Sequence, residues 1–185
     1  MTESKVLTLP GWLNSGPGHW QTRWEAAFGD ERVEQHDWLQ PLRGDWIARL
    51  EEVLLQQPAP VLLAAHSLGC HLVAAWAAHS TNLQRVLGAL LVAPPDVQQL
   101  DFPPQLHRWA KPVLQPLPFP AKLVASRSDP FASYAATSQL ADAWGAELVD
   151  IGARGHVNAE SGLGDWPQGR AWLLALGGQR HSTES

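Results

Sequence analysis

Residues 61–70 read Val61-Leu62-Leu63-Ala64-Ala65-His66-Ser67-Leu68-Gly69-Cys70. An apolar run of strand length leads into a serine, and with no proline to stop it the chain continues into the helix-like Leu72-Val73-Ala74-Ala75-Trp76-Ala77-Ala78. A strand, a sharp turn and a helix in that order leave Ser67 on a strained, exposed backbone where neighbouring elements come very close. Only small side chains fit two positions before and two after such a residue, and Ala65 and Gly69 stand there. A helix N-cap would also place a serine here. The strand before it and the small flanking residues favour a nucleophile presented on a turn.

Val6–Leu9 reads as a short buried strand stopped by Pro10-Gly11, and a long glycine-rich loop, Trp12 to Gly18, follows it. His19 to Phe28 has helical spacing, with Trp20, Trp24 and Ala27 or Phe28 expected to share a core-facing stripe. Residues 32–36 predict a polar edge strand, and Gly44 to Gln57 a helix ended by Pro58 and Pro60. Further strands are predicted at Val86–Val92, Lys122–Ala125 and Glu147–Ile151, with helices at Tyr134–Trp144 and Trp166–Leu176. Six strands alternating with helices imply a mostly parallel sheet covered on both faces, an α/β fold. Pro94 to Pro120 is too rich in proline for one helix. It leaves the carboxyl end of a strand and is placed to roof a site there.

With 185 residues and 45% hydrophobic content, the chain suits one domain spanning 1–185, with a frayed polar tail over 177–185. The net charge is −5 and no basic cluster is present, which argues against a nucleic-acid partner. The single cysteine, Cys70, permits no internal disulfide and points to a reducing compartment. No signal peptide or membrane span is apparent, so a soluble cytoplasmic protein is expected, with no membrane partner.

In an open parallel sheet, ligands bind beyond the carboxyl ends of the strands. Asp129 follows the strand ending at Ala125, and His156 follows the one ending near Ile151. Serine, aspartate and histidine in that chain order, each after a strand, form a nucleophile, an acid and a base. The imidazole must take the hydroxyl proton, because serine is a poor nucleophile at neutral pH. Asp96, after the strand ending at Val92, competes with Asp129 for the acid role, and the motif order favours Asp129. The backbone N–H groups of Leu68 and Trp12 are the expected donors to a developing oxyanion. Trp12, Leu13, Phe102, Trp109 and Phe131 are expected to wall a small apolar pocket. His66, adjacent to the nucleophile on a strand, points to the opposite face and is excluded as the base. His19 is assigned equally to the pocket lining or to the start of its helix. No histidine or cysteine pair has zinc spacing, so neither metal nor cofactor is implied.

At Ser67, Asp129 and His156 the chain resembles the α/β-hydrolases. Gly155-His156-Val157-Asn158-Ala159-Glu160-Ser161-Gly162-Leu163-Gly164-Asp165-Trp166 is similar to the histidine segment of the retinoblastoma-binding-protein-nine-like serine hydrolases. Pro10-Gly11-Trp12, His19-Trp20 and Glu34-Gln35-His36-Asp37-Trp38 resemble the N-terminal half of that family. The resemblance implies a compact α/β/α sandwich that lacks the first two strands of larger relatives and a separate cap domain. It also implies a Ser67 nucleophile with Asp129 and His156. Ala65 departs from the family's first elbow glycine. The leucine, any, cysteine, any, glutamate pattern that contacts retinoblastoma protein is absent, since Leu68-Gly69-Cys70-His71-Leu72 ends in leucine, so no such partner is expected.

The expected activity is cleavage of a small carboxylic ester, or an amide or thioester, through a Ser67 acyl-enzyme. A peptidase on short peptides and a non-catalytic interaction module on the same fold are the alternatives.

Overall fold

The computed structural model describes residues 4–179. The strands are β1 (Val6–Leu9), β2 (Glu31–Arg32), β3 (Val61–His66), β4 (Val86–Val92), β5 (Ala121–Ala125) and β6 (Glu147–Asp150). The helices are α1 (Trp20–Phe28), α2 (Arg43–Gln56), α3 (Leu68–His79), α4 (Tyr134–Trp144) and α5 (Pro167–Gly177). Every pairing is parallel, in the order β2-β1-β3-β4-β5-β6.

Alternation along the central strands divides the core into two layers. Leu63 and Ala65 of β3, with Leu91 and Leu123, pack against Trp46 and Leu50 of α2, Trp76 of α3 and Trp144 of α4. Leu62 and Ala64, with Leu90 and Val124, pack against Trp20 and Trp24 of α1 and Leu173 and Leu176 of α5. Both faces of β3 and β4 are therefore dry, which is why their sequences read as unbroken apolar runs.

The strand order reverses direction between β1 and β3. The loop after β1 and the turn after β3 consequently open a crevice between them, where ligands of such sheets bind. Residues 94–120 carry a 3₁₀ turn at Pro104–Trp109 and cover the far side of this crevice. No separate cap is present among the described residues.

Three expectations are corrected. The polar edge strand is only Glu31–Arg32 rather than 32–36: Val33 adds one bond to Thr8, and Asp37 then takes the Leu39 and Gln40 amides into a turn. The apolar stripe of α1 stops at Trp24, because Ala27 and Phe28 are exposed and the Arg170 guanidinium lies over the Phe28 ring. Of the expected frayed tail, Gly177 still belongs to α5, while residues 180–185 lie outside the described residues.

Gly69 makes the close approach of α3 to β1 possible. A Cβ there would stand 2.2 Å from the Leu9 carbonyl oxygen, which is backbone and cannot step aside. Gly69→Ala is expected to destabilise the fold by about 1–3 kcal/mol or more, the usual range for overpacking, measured as a lower urea midpoint.

Candidate active site

Ser67 follows β3 and caps α3 with φ 55° and ψ −125°, a conformation that L-residues avoid. The turn is held by the Ser67 amide, which donates to the Val92 carbonyl at the end of β4. From β5, Asp129 brings its carboxylate to 3.0 and 3.1 Å from Nδ1 of His156, and also accepts the Phe131 amide at 2.9 Å. His156 Nε2 lies 2.9 Å from Ser67 Oγ. A carboxylate can only accept, so Nδ1 carries the proton and Nε2 is left to receive the serine hydroxyl. The side chains of Asp129 and His156 are only 3% and 11% exposed, which shields this line of bonds from water. Asp96 takes the Gln98 amide instead and makes no bond to His156.

The backbone around His156 also turns sharply, with Gly155 at φ 58° and the β-branched Val157 strained at φ 53°. Its neighbours are fixed from three sides. Ser128 Oγ accepts the Gly155 amide, Ser126 Oγ accepts the Arg154 amide, and the Trp20 indole donates to the Val157 carbonyl. Ser126 and Ser128 belong to the same loop as Asp129, so the loops of Asp129 and His156 are hydrogen-bonded as a unit. Their Ser-x-Ser-Asp spacing was visible in the sequence, but its partners were not.

Leu68 is the first residue of α3, where amides have no partner within their own helix. The Gly11-Trp12 backbone passes directly beside it: a Cβ on Gly11 would stand 2.9 Å from the Ser67 Cβ and 3.0 Å from the Leu68 nitrogen. The loop continues through Leu13 and Asn14, both at φ 66°. Arg32 pins it, donating to Asn14 Oδ1 and the Ser15 carbonyl while forking onto Glu25. The Leu13 amide and the Trp12 indole reach the carbonyls of Trp38 and Leu39.

Two cavities meet at Ser67 and His156. One, of about 410 Å³, has apolar walls that include Trp12, Leu13, Phe102, Leu106 and Phe131. The other, of about 240 Å³, lies towards α1 and is polar, with Asn14, Ser15, His19, His66, Asn158 and Glu160 around it. Of the expected pocket residues, Trp109 is the exception. It is buried under the roof, packs edge-on against Trp46, donates to the Pro41 carbonyl and does not line the cavity. Leu106, one turn earlier, takes the place expected of it.

The remaining reactive groups near the elbow are suppressed by burial. Burial pushes the Cys70 thiol far up from its ordinary value, and its Sγ contacts the carbonyls of Ala65 and Val92. Three imidazoles are held neutral, each chiefly by burial. His19 is lowered to about 3 and His71 to about 4, while His66 falls well below its ordinary value.

This sheet, with a strained serine turn at its switch point, is that of an α/β-hydrolase. The sequence matches the serine hydrolase family over residues 6–175, and the chain belongs to that family. Among solved structures it is similar to a protein described as a YdeN-like hydrolase from Pectobacterium atrosepticum: identity is 30%, 94% of this chain and 90% of that one are covered, and the TM-score is 0.82. The ydeN gene product of Bacillus subtilis shares the fold at 21% identity, with 94% and 98% covered and a TM-score of 0.72. The carboxylesterase CesB of Bacillus subtilis shares it at 15% identity, with 96% and 86% covered and a TM-score of 0.61. A search of curated protein sequences gave no match.

The neutral imidazoles make stability pH-dependent with a definite sign. Their folded-state values lie below the ordinary 6.5, so the unfolded chain binds more protons as acid is added. Their contribution is therefore intact above pH 6.5 and is lost as the pH falls below it. Urea unfolding at pH 7.5, 6 and 5 is expected to show stability dropping at each step, each imidazole adding up to about 1.4 kcal/mol per pH unit. A flat profile would contradict neutral burial.

Proposed function

We propose that the protein is a carboxylesterase-like serine hydrolase that cleaves small carboxylic esters through a Ser67 acyl-enzyme. The observation that supports this reading best is the unbroken line from Asp129 through His156 to Ser67 Oγ at the meeting point of the two cavities. The likeness to the carboxylesterase shows the fold alone, so the chemistry rests on these residues.

Ser67 Oγ attacks the acyl carbon as His156 Nε2 takes its proton, and the carbonyl electron pair moves onto oxygen. The amides of Leu68 and Trp12 receive that oxyanion. Asp129 stabilises the imidazolium and keeps its Nδ1–H in place. When the intermediate collapses, the bond to the leaving oxygen breaks and His156 returns the proton to it. Water then repeats the sequence against the acyl-enzyme and frees the acid.

The leaving group and the later water must occupy the same position beside His156 Nε2, since the same nitrogen serves both. The polar cavity suits that position, because water is at home there. The acyl chain then occupies the apolar cavity. Its volume of about 410 Å³ is at the small end for ligand sites, roughly 300–1,000 Å³, and fits short acyl groups. The buried, unpaired cysteine fits a reducing cytoplasmic setting.

A fluorophosphonate probe is expected to label the wild type and to leave Ser67→Ala unlabelled. Labelling that persists in Ser67→Ala, or is absent in the wild type, sinks the nucleophile assignment. Asp129→Asn is expected to lower kcat by roughly 10³–10⁴-fold through the wrong imidazole tautomer, while Asp96→Asn stays near wild type. The reverse result would transfer the acid role to Asp96.

A series of p-nitrophenyl esters tests the pocket. Acetate and butyrate are expected to give a kcat/KM about tenfold or more above that for dodecanoate, the order that a small acyl site predicts. A preference for dodecanoate would contradict the acyl-site assignment.

A further inference from the structure

The residue before the proposed nucleophile is itself held in an unusual place. His66 is 5% exposed, and its ring lies 4.5 Å from that of His19 and 4.8 Å from that of His156. His66 Nε2 is 2.8 Å from the carbonyl oxygen of His156, and His66 Nδ1 is 3.2 Å from His19 Nε2. His19 Nδ1 in turn accepts the Gln21 amide at 3.1 Å.

Both ends of this chain fix its protons. A carbonyl oxygen can only accept, so His66 Nε2 carries a hydrogen; the Gln21 amide can only donate, so His19 Nδ1 carries none. With both rings neutral, the one remaining hydrogen sits on His19 Nε2 and points at the bare His66 Nδ1. All three bonds then run in one direction, from the start of α1 to the backbone of His156. A proton added to either ring would set two N–H groups against each other. Burial opposes that protonation in both rings, and Arg32 opposes it further in His19. Gln21 is locked as well, donating to the Ala64 carbonyl and accepting from Ser15.

The carbonyl that receives this line belongs to the residue whose ring faces Ser67, between two residues with positive φ. We propose that His66, backed by His19, is a positioning residue that holds the His156 backbone so that Nε2 stays aligned on Ser67 Oγ. The inference rests on the reading of His156 as the base, and neither imidazole exchanges a proton with substrate.

His66→Gln and His66→Asn separate this role from simple packing. A glutamine amide reaches about as far as Nε2 and can donate to the His156 carbonyl, whereas an asparagine amide reaches only as far as Nδ1. With p-nitrophenyl acetate, the asparagine variant is expected to lose about tenfold to a hundredfold in kcat, the scale of a small misplacement of a reacting group. Its KM should stay within about twofold, and the glutamine variant should recover most of the lost rate although Tm falls similarly in both. Equal kcat in the two variants, or a change confined to KM, overturns the positioning role.

In the wild type, ¹⁵N shifts are expected to report both rings as neutral Nε2–H forms down to pH 5, and a protonated ring there overturns it also. Fluorophosphonate labelling distinguishes the two failures. A wild type that is unlabelled defeats the serine hydrolase reading itself. Labelling of the wild type with equal glutamine and asparagine variants defeats only the role of His66.

Discussion

The structure turns on how tightly the chain is forced together at the end of β3. A serine at φ 55° costs of order 1–3 kcal/mol and persists only where its surroundings leave no alternative. Here they leave none. Gly69 lies against the Leu9 carbonyl below the turn and Gly11 against Ser67 and Leu68 above it, each too close for a Cβ. β1 and β3 are thereby locked in register, and the topological switch point falls between them. The fold and the site share one constraint: the contact that lets α3 start at Leu68 also brings the Gly11-Trp12 amides beside it.

The strain is not confined to the serine. Leu13, Asn14, Ala93 and Val157 also have positive φ, and all lie on segments that leave the carboxyl ends of β1, β4 and β6. Such conformations need support from outside the loop. Arg32 supplies it for Asn14, its side chain 12% exposed and paired with Glu25, which also takes the Thr8 hydroxyl from β1. Around Val157 it comes from Trp20, Ser128 and Ser126. Fixing these loops beforehand spares the site the cost of ordering them when a substrate arrives.

How much of this could be read from the sequence depended on the range of the interaction. β3 and β4 were legible because their apolar runs are local, and α4 matched residue for residue because its cap, Ser133, and its terminator, Gly145, are adjacent in the chain. The strand-end placement of Asp129 and His156 followed from periodicity alone. What escaped was set by distant partners. β2 shortened because Asp37 captured two amides, and Trp109 turned inward because Trp46 was waiting for it. The tie between His19 and His66 spans 47 positions, and nothing in either local sequence announces it. Excluding His66 as the base was a statement about the direction of its side chain, and said nothing about what lay in that direction.

The ten tryptophans show how a chain of this length supports such long loops. Their indole bodies sit in or against the two core layers, while six of them send their N–H groups outward. Trp12 donates to Leu39, Trp20 to Val157, Trp24 to Asp165, Trp46 to Asp37, Trp109 to Pro41 and Trp144 to Val113, in each case to a backbone carbonyl in an irregular segment. A buried indole needs a partner for its one donor, and a loop needs partners for carbonyls that no strand satisfies. Each requirement meets the other. The apolar body anchors the peg at about 1.5–3 kcal/mol of burial for a large side chain, and the N–H fixes where the loop may lie. Leucine would fill the same core yet leave the loop free. Tryptophan is therefore used here less as bulk than as the connection between a regular sheet and the irregular segments that carry the site.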